Sequence, residues 1–209
     1  MPDAASQPLA LFPLGIVLVP GEVVPLHIFE ERYKLLVNER RGGGEFGVVF
    51  AEDDGVREIG CTATVVDVLE ELDDGRMNIL VQGHRRFRLL ELVPPDDPER
   101  EYLRGVVEEV PDESDEAPEA LRRRALEVYR RMLALMEVDS PREPGGEEPL
   151  SYRIVAAVDF GTALKQEVLE STSEEERLAT LAAVMETLLP RLELRKEREE
   201  AIRGNGKGY

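Results

Sequence analysis

Tryptophan is missing from this chain, cysteine occurs once and histidine only twice. A single cysteine excludes an intrachain disulfide and fits a reducing cytoplasm. Cys61 sits inside an apolar run, which predicts a buried, inert thiol. His27, His84 and Cys61 are far apart, and neither C-x-x-C nor H-E-x-x-H occurs, so no metal site is expected. The phosphate loop G-x-x-x-x-G-K-[ST] is absent, which excludes the common ATPase site. G-x-S-x-G is absent too. Glu52-Asp53-Asp54-Gly55 has the look of a calcium-loop fragment, but the following V-R-E-I-G lacks acidic ligands at the required spacing. An exposed turn is the expectation there. Asp159-Phe160-Gly161 has no accompanying kinase segments. No apolar run approaches the ~20 residues that span a bilayer. The first 15 residues lack a basic start and a long apolar stretch, so no signal peptide is read.

What is plentiful is negative charge. Forty-four acidic against 26 basic residues give a formal net charge of −18. Such a field repels phosphate backbones and anionic lipids. Pairs of carboxylates carry no message in so acidic a chain. One basic cluster stands out, G-H-R-R-F-R-L-L at 83–90, with Arg85, Arg86 and Arg88 around Phe87. Strand periodicity puts Arg86 and Arg88 together on one face, expected to be solvated.

The first half reads as β structure. F-G-V-V-F (46–50) and the β-branched C-T-A-T-V-V-D-V-L (61–69) are strand-like. Asp74-Gly75 between two such runs predicts a hairpin. Met77, Ile79 and Val81 alternate with polar or outward positions, and 87–93 and 102–110 continue the pattern. One helix interrupts it: Phe29, Tyr33, Leu36 and Val37 share a face over 29–41, and Gly42 to Gly44 offer a stop. Pro20-Gly21 predicts a turn, and Pro25 is expected to end a strand-like piece.

After an acidic, proline-bearing stretch the chain turns helical. Leu121, Ala125, Val128, Tyr129, Met132 and Met136 fall at helical spacing over 119–138. Residues 140–149 are rich in breakers. Short helices are expected near 150–158 and 163–170. Ser171…Glu174 and Ser173…Glu176 look like capping boxes for a last helix striped by Leu178, Leu181, Met185, Leu188 and Leu192. Pro190 should kink or end it. These readings divide the chain into a β-rich part at 8–112, a helical part at 113–200 and a flexible tail at 201–209.

F-P-L-G-I-V-L-V-P-G-E-V-V-P-L-H-I-F-E-E-R-Y, near the N-terminus, resembles the start of the Lon substrate-binding domain, the N-terminal domain of ATP-dependent Lon proteases. The positions that carry the likeness are Pro13-Leu14, Pro20-Gly21, Pro25-Leu26, Ile28-Phe29-Glu30 and Arg32-Tyr33. I-G-C-T-A-T-V-V-D-V is similar to the family's Gly-Thr-x-Ala strand, with Cys61 inserted between Gly60 and Thr62. The hairpin through Gly83, Arg86 and Phe87 matches the next block. I-F-E-E-R-Y is closer to stand-alone Lon-domain proteins than to full-length Lon. The resemblance implies an α+β fold: a twisted, partly closed antiparallel β barrel of PUA-like type, followed by an α-helical bundle.

It also implies a non-enzymatic polypeptide-binding module, cytoplasmic and without cofactors, since the Ser-Lys protease pair and the nucleotide loop are missing. The expected partners are unfolded or partner polypeptides, and an ATP-dependent protease. The acidic surface would favour basic segments. Binding candidates are Phe29, Tyr33, Arg86, Phe87 and Arg88, with no catalytic and no metal residues. Core packing is the competing role for Phe29, Tyr33 and Phe87, and for Phe29 most of all. Pro20, Gly21, Pro25, Glu30, Arg32, Gly60 and Gly83 are expected to be structural. Two alternatives stand beside this one: an N-terminal fragment or accessory of a Lon protease, and a PUA-like nucleic-acid binder. Oligomeric state stays open.

Overall fold

A computed structural model describes residues 8–52, 55–94, 100–136 and 146–205. Asp53 and Asp54 of the acidic turn, most of the 140–149 loop and the last four residues of the tail lie outside the described residues.

Seven strands and five helices are present among the described residues. Five strands close a ring. β1 (Leu9–Leu14) pairs with β7 (Arg104–Glu109), β7 with β6 (Met77–Val93), β6 with β5 (Ile59–Glu71), and β5 with β3 (Phe46–Glu52). β3 returns to β1 with Leu11 opposite Gly47 and Leu14 opposite Phe50. That last pair is parallel, so the barrel is antiparallel at every seam but one. Leu11, Val49 and Phe87 fill the interior, with Leu9, Leu89 and Val107 packed against them. A two-residue β4 (Gly55–Val56) lies beside β3.

β5 and β6 are long, and the Asp74-Gly75 turn joins them as the sequence predicts. The ends nearest that turn leave the barrel as a ribbon. There β2 (Val23–Ile28) pairs along β6, from Val23 opposite Gln82 to Ile28 opposite Met77. Pro25 therefore sits within β2 rather than ending it. The position is permissible because β2 is an edge strand, where a missing N–H leaves no ladder bond unmade. β6 is one strand of 17 residues that runs through both the Met77–Val81 alternation and the 87–93 stretch read from the sequence. Gly83 does not break the strand. It lets β6 pass the 19–22 turn, where an added Cβ would lie 2.3 Å from the Val19 carbonyl oxygen. Gly21 completes that turn at φ 75°, a conformation that suits glycine after proline.

Helix α1 (Glu31–Arg40) buries Tyr33, Leu36 and Val37, and Lys34 donates to the Asp74 carbonyl at 2.9 Å. The chain groups into two compact units, 1–111 with 155–172, and 112–154 with 173–209. Residues 155–172, which the sequence reading kept with the helices, thus cluster with the strands. Three groups hold them there. Arg86 donates to the carbonyls of Leu169 and Ser171, Gln166 donates to the Ile59 carbonyl, and Lys165 pairs with Glu22. They carry the end of α3 (Leu150–Ala157) and all of α4 (Thr162–Glu170).

The second unit contains α2 (Glu119–Leu135), the start of α3, and α5 (Glu174–Asn205). Arg124 pairs with Glu186 at 2.6 Å and Arg131 with Glu193 at 2.5 Å, each 62 positions apart. A constant offset between two helices means that α2 and α5 run in the same direction. Ala125, Tyr129 and Met132 of α2 and Leu178, Leu181 and Met185 of α5 are buried. α5 continues through Pro190 and extends to Asn205, so 201–205 are helix and not tail. At its start the Ser173 hydroxyl accepts from the Glu176 N–H, half of one expected capping box.

Glu174 is engaged elsewhere. Its carboxylate accepts from the Ser151 N–H, the Ser151 hydroxyl and Arg177. Arg177, its side chain fully buried, also binds both oxygens of Asp112 at 2.8 Å and lies over the Tyr152 ring.

Candidate functional site: the outer face of the β2–β6–β5 ribbon

The alternation of a strand predicts that one ribbon face is buried and the other polar. The inner face obeys: Met77, Ile79, Val81 and Ile28 are buried. The outer face does not. Val66 and Leu69 are both exposed, Leu69 by 55%. Each is the extra residue of a β-bulge, Val66 between the partners of Val81 and Leu80, Leu69 between those of Ile79 and Asn78. A bulge re-aims a side chain that regular pairing would turn inward. Here two bulges turn apolar groups out.

Across the ribbon, His27, Asn78 and Glu70 occupy one row of paired positions. Asn78 Nδ2 donates to Glu70 Oε2 at 2.7 Å, and Asn78 Oδ1 lies 2.7 Å from His27 Nδ1. A carboxylate only accepts, so the amide must present its oxygen to the imidazole, and Nδ1 must carry the proton. In the neutral ring the lone pair is then on Nε2. The Phe29 ring stacks on His27 at 6.0 Å between centroids, 60% exposed. Pro25, Leu26, His27, Leu69, Glu70 and Asn78 line a shallow concavity of about 540 Å³.

Phe29 is therefore the one candidate aromatic that reaches solvent, against the expectation that it packs in the core. The helical face drawn from Phe29 to Tyr33 starts too early. β2 ends at Ile28 and α1 begins at Glu31, so Phe29 belongs to the joint between them. Tyr33 is buried against Phe12, with ring centroids 4.2 Å apart, and burial raises its hydroxyl pKa above the usual tyrosine range while Arg32 opposes the shift. Phe87 is 2% exposed inside the barrel and closed to any ligand. Arg86 is 4% exposed and not on a solvated face. Its guanidinium caps the carbonyl end of α4, where a cation also complements the helix dipole. Arg88 is exposed and pairs with Glu108 at 3.6 Å. The structure does not bring the five candidates together.

Glu30 and Arg32 pair at 2.7 Å beside the start of α1, as a structural role requires. A second concavity, about 400 Å³, lies within the same unit between residues 16–24 and 155–165. Ile16, Val17, Val24 and Val155 line it, and the Glu22–Lys165 pair closes its polar side. Among the described residues no group of His, Cys, Asp or Glu is arranged to hold a metal, and no helix is long and apolar enough to cross a membrane.

The ring, its ribbon and the helices recur in known proteins. The model of the ATP-dependent protease La (LON) substrate-binding domain matches residues 8–187. The chain belongs to that family. The Lon protease of Anaeromyxobacter dehalogenans is 30% identical over 217 residues, covering 94% of this chain and 25% of that protein. The Lon protease of Flavobacterium johnsoniae is 26% identical over 215 residues, covering 93% and 26%. The chain thus spans about a quarter of the length of the curated Lon relatives it matches. A crystal structure of a Lon N-terminal domain protein from Xanthomonas campestris superposes with TM-score 0.65 at 26% identity, over 85% of this chain and 98% of that one. The N-terminal domain of Mycobacterium avium complex Lon protease shares the fold, with TM-score 0.63 at 18% identity, over 86% of this chain and 98% of that one. The Lon substrate-binding family accounts for the fold, and the ribbon's outer face is where this member departs from a polar exterior.

Proposed function

We propose that the chain binds exposed segments of unfolded polypeptide on the outer face of the ribbon, without chemistry of its own. The observation that carries this reading is Phe29, 60% exposed and stacked on His27, which lines the concavity together with Leu69. An aromatic ring held open at the end of an edge strand offers apolar contact area at little cost in side-chain entropy. Family membership supports the same reading, as does a surface whose charge repels nucleic acid. The wider proposal is that the bound polypeptide is passed to an ATP-dependent protease in a reducing cytoplasm.

The test is fluorescence anisotropy with a labelled, reduced and alkylated protein that stays unfolded. Phe29→Ala should weaken binding about 10-fold or more, as loss of a buried aromatic anchor does. Its melting curve should match the wild type. Undiminished affinity in a variant that melts normally would overturn the reading.

A further inference from the structure

The concavity beside Phe29 has a chemical bias that apolar contact alone does not explain. Carboxylates are common around the ribbon, but most are neutralised at short range. Glu71 pairs with Arg41, Asp74 with Arg76, and Glu31 with Lys34. Glu70 differs. Its partner is the neutral amide of Asn78, and among the described residues no cation pairs with it. Along the same row, the relay through Asn78 fixes the exposed His27 as the Nδ1–H tautomer, which leaves a lone pair on Nε2. The exposed Phe29 ring lies against that imidazole. An uncompensated carboxylate and a hydrogen-bond acceptor thus line one depression of about 540 Å³, and an exposed aromatic ring stacks on the imidazole that lines it. Each of the three attracts the same kind of group.

We propose that this depression is a subsite for a basic side chain, arginine or lysine, of the bound polypeptide. The cation would face Glu70, a donor N–H would reach His27 Nε2, and the aliphatic stem would lie along Leu69 and Pro25. Segments that carry a cation beside apolar residues are then the preferred substrates. This rests on the polypeptide-binding reading above and adds to it the chemistry that the site selects.

Three labelled ten-residue peptides test it, identical apart from a central arginine, citrulline or norleucine. Citrulline keeps the shape of arginine and the N–H donors of one arm of the fork, with a carbonyl in place of the other arm and no charge. The wild-type chain should bind the arginyl peptide about 2–5-fold more tightly than the citrullyl one, the range of an exposed ion pair. Glu70→Gln, which can still accept from Asn78, should remove that preference, so that the arginyl and citrullyl peptides bind alike. His27→Phe should lower the citrulline-over-norleucine ratio, by about 3-fold. Equal affinity for arginine and citrulline in the wild type would overturn the proposal. So would a preference that survives Glu70→Gln, which would trace it to the general acidic field, or a citrulline-over-norleucine ratio that His27→Phe leaves unmoved. Phe29→Ala separates this from the reading beneath it. If all three peptides bind that variant as tightly as the wild type, the ribbon face is not the site at all. If all three weaken together while the charge preference is absent, only the basic subsite falls.

Discussion

Two polar networks, one in each unit, invite comparison. In the helical unit Arg177, Glu174, Asp112, Ser151 and the Tyr152 ring form a closed set, with the guanidinium and the Glu174 carboxylate wholly buried. On the ribbon His27, Asn78 and Glu70 form an open row, in which a lone pair at one end and a charge at the other face water. Both rest on a carboxylate with a polar partner, yet they serve different ends. Burial makes the first indispensable, because removing one member strands the others without solvent. Exposure makes the second nearly neutral for folding, so its residues are available for recognition.

The largest effect that this contrast predicts is at Arg177. Arg177→Leu leaves Glu174 buried without its cation and should cost about 3–5 kcal/mol, read as a lower urea midpoint with an unchanged slope. A loss no bigger than that of a surface substitution would erase the distinction between the two networks. Phe87→Ala follows, since it empties the barrel between Leu11 and Val49 and should cost about 3 kcal/mol. The same change at Phe29 should alter stability by less than about 0.5 kcal/mol and act on binding instead. That pair of phenylalanines sharpens the comparison most directly, with melting and anisotropy measured on both. The smallest effect concerns acid. The Tyr102 hydroxyl, then Arg100, bonds the Glu39 carboxylate and holds its pKa below the usual glutamate range. A depressed native pKa stabilises above the unfolded value and is lost as pH falls through the folded one. Glu39→Gln should therefore lower the melting temperature slightly at neutral pH, and that difference from the wild type should close as pH falls below about 4.5.

The sequence made the barrel legible where signals are local. Asp74-Gly75 marked the hairpin, alternation marked Met77, Ile79 and Val81, and helical spacing marked the seam of α2 and α5. Contacts made over long separations left no such trace. Nothing near Arg86 reveals that it meets the end of a helix more than 80 residues away. Glycine at 83 carries no local sign of the backbone that passes close to it, because a close approach, a bulge and a strand end use the same residue. Arg177 follows three consecutive glutamates at the start of α5, and nothing local marks it as buried. The site was the least visible part. Val66 and Leu69 sit in an apolar run, and an inserted residue that turns such a run outward carries no mark of its own. Phe29 was misread because two elements meet there and its helical spacing to Tyr33 is accidental.

Pro25 gives the ribbon one further property. A module that collects sticky, extended chains at high local concentration risks becoming the seed of a fibre, since any strand border with a full set of amide hydrogens can recruit the next copy. Placing an imino acid midway along that border interrupts the template. On the proposed reading, the protein would then receive single chains through its side chains and resist polymerising with its own kind.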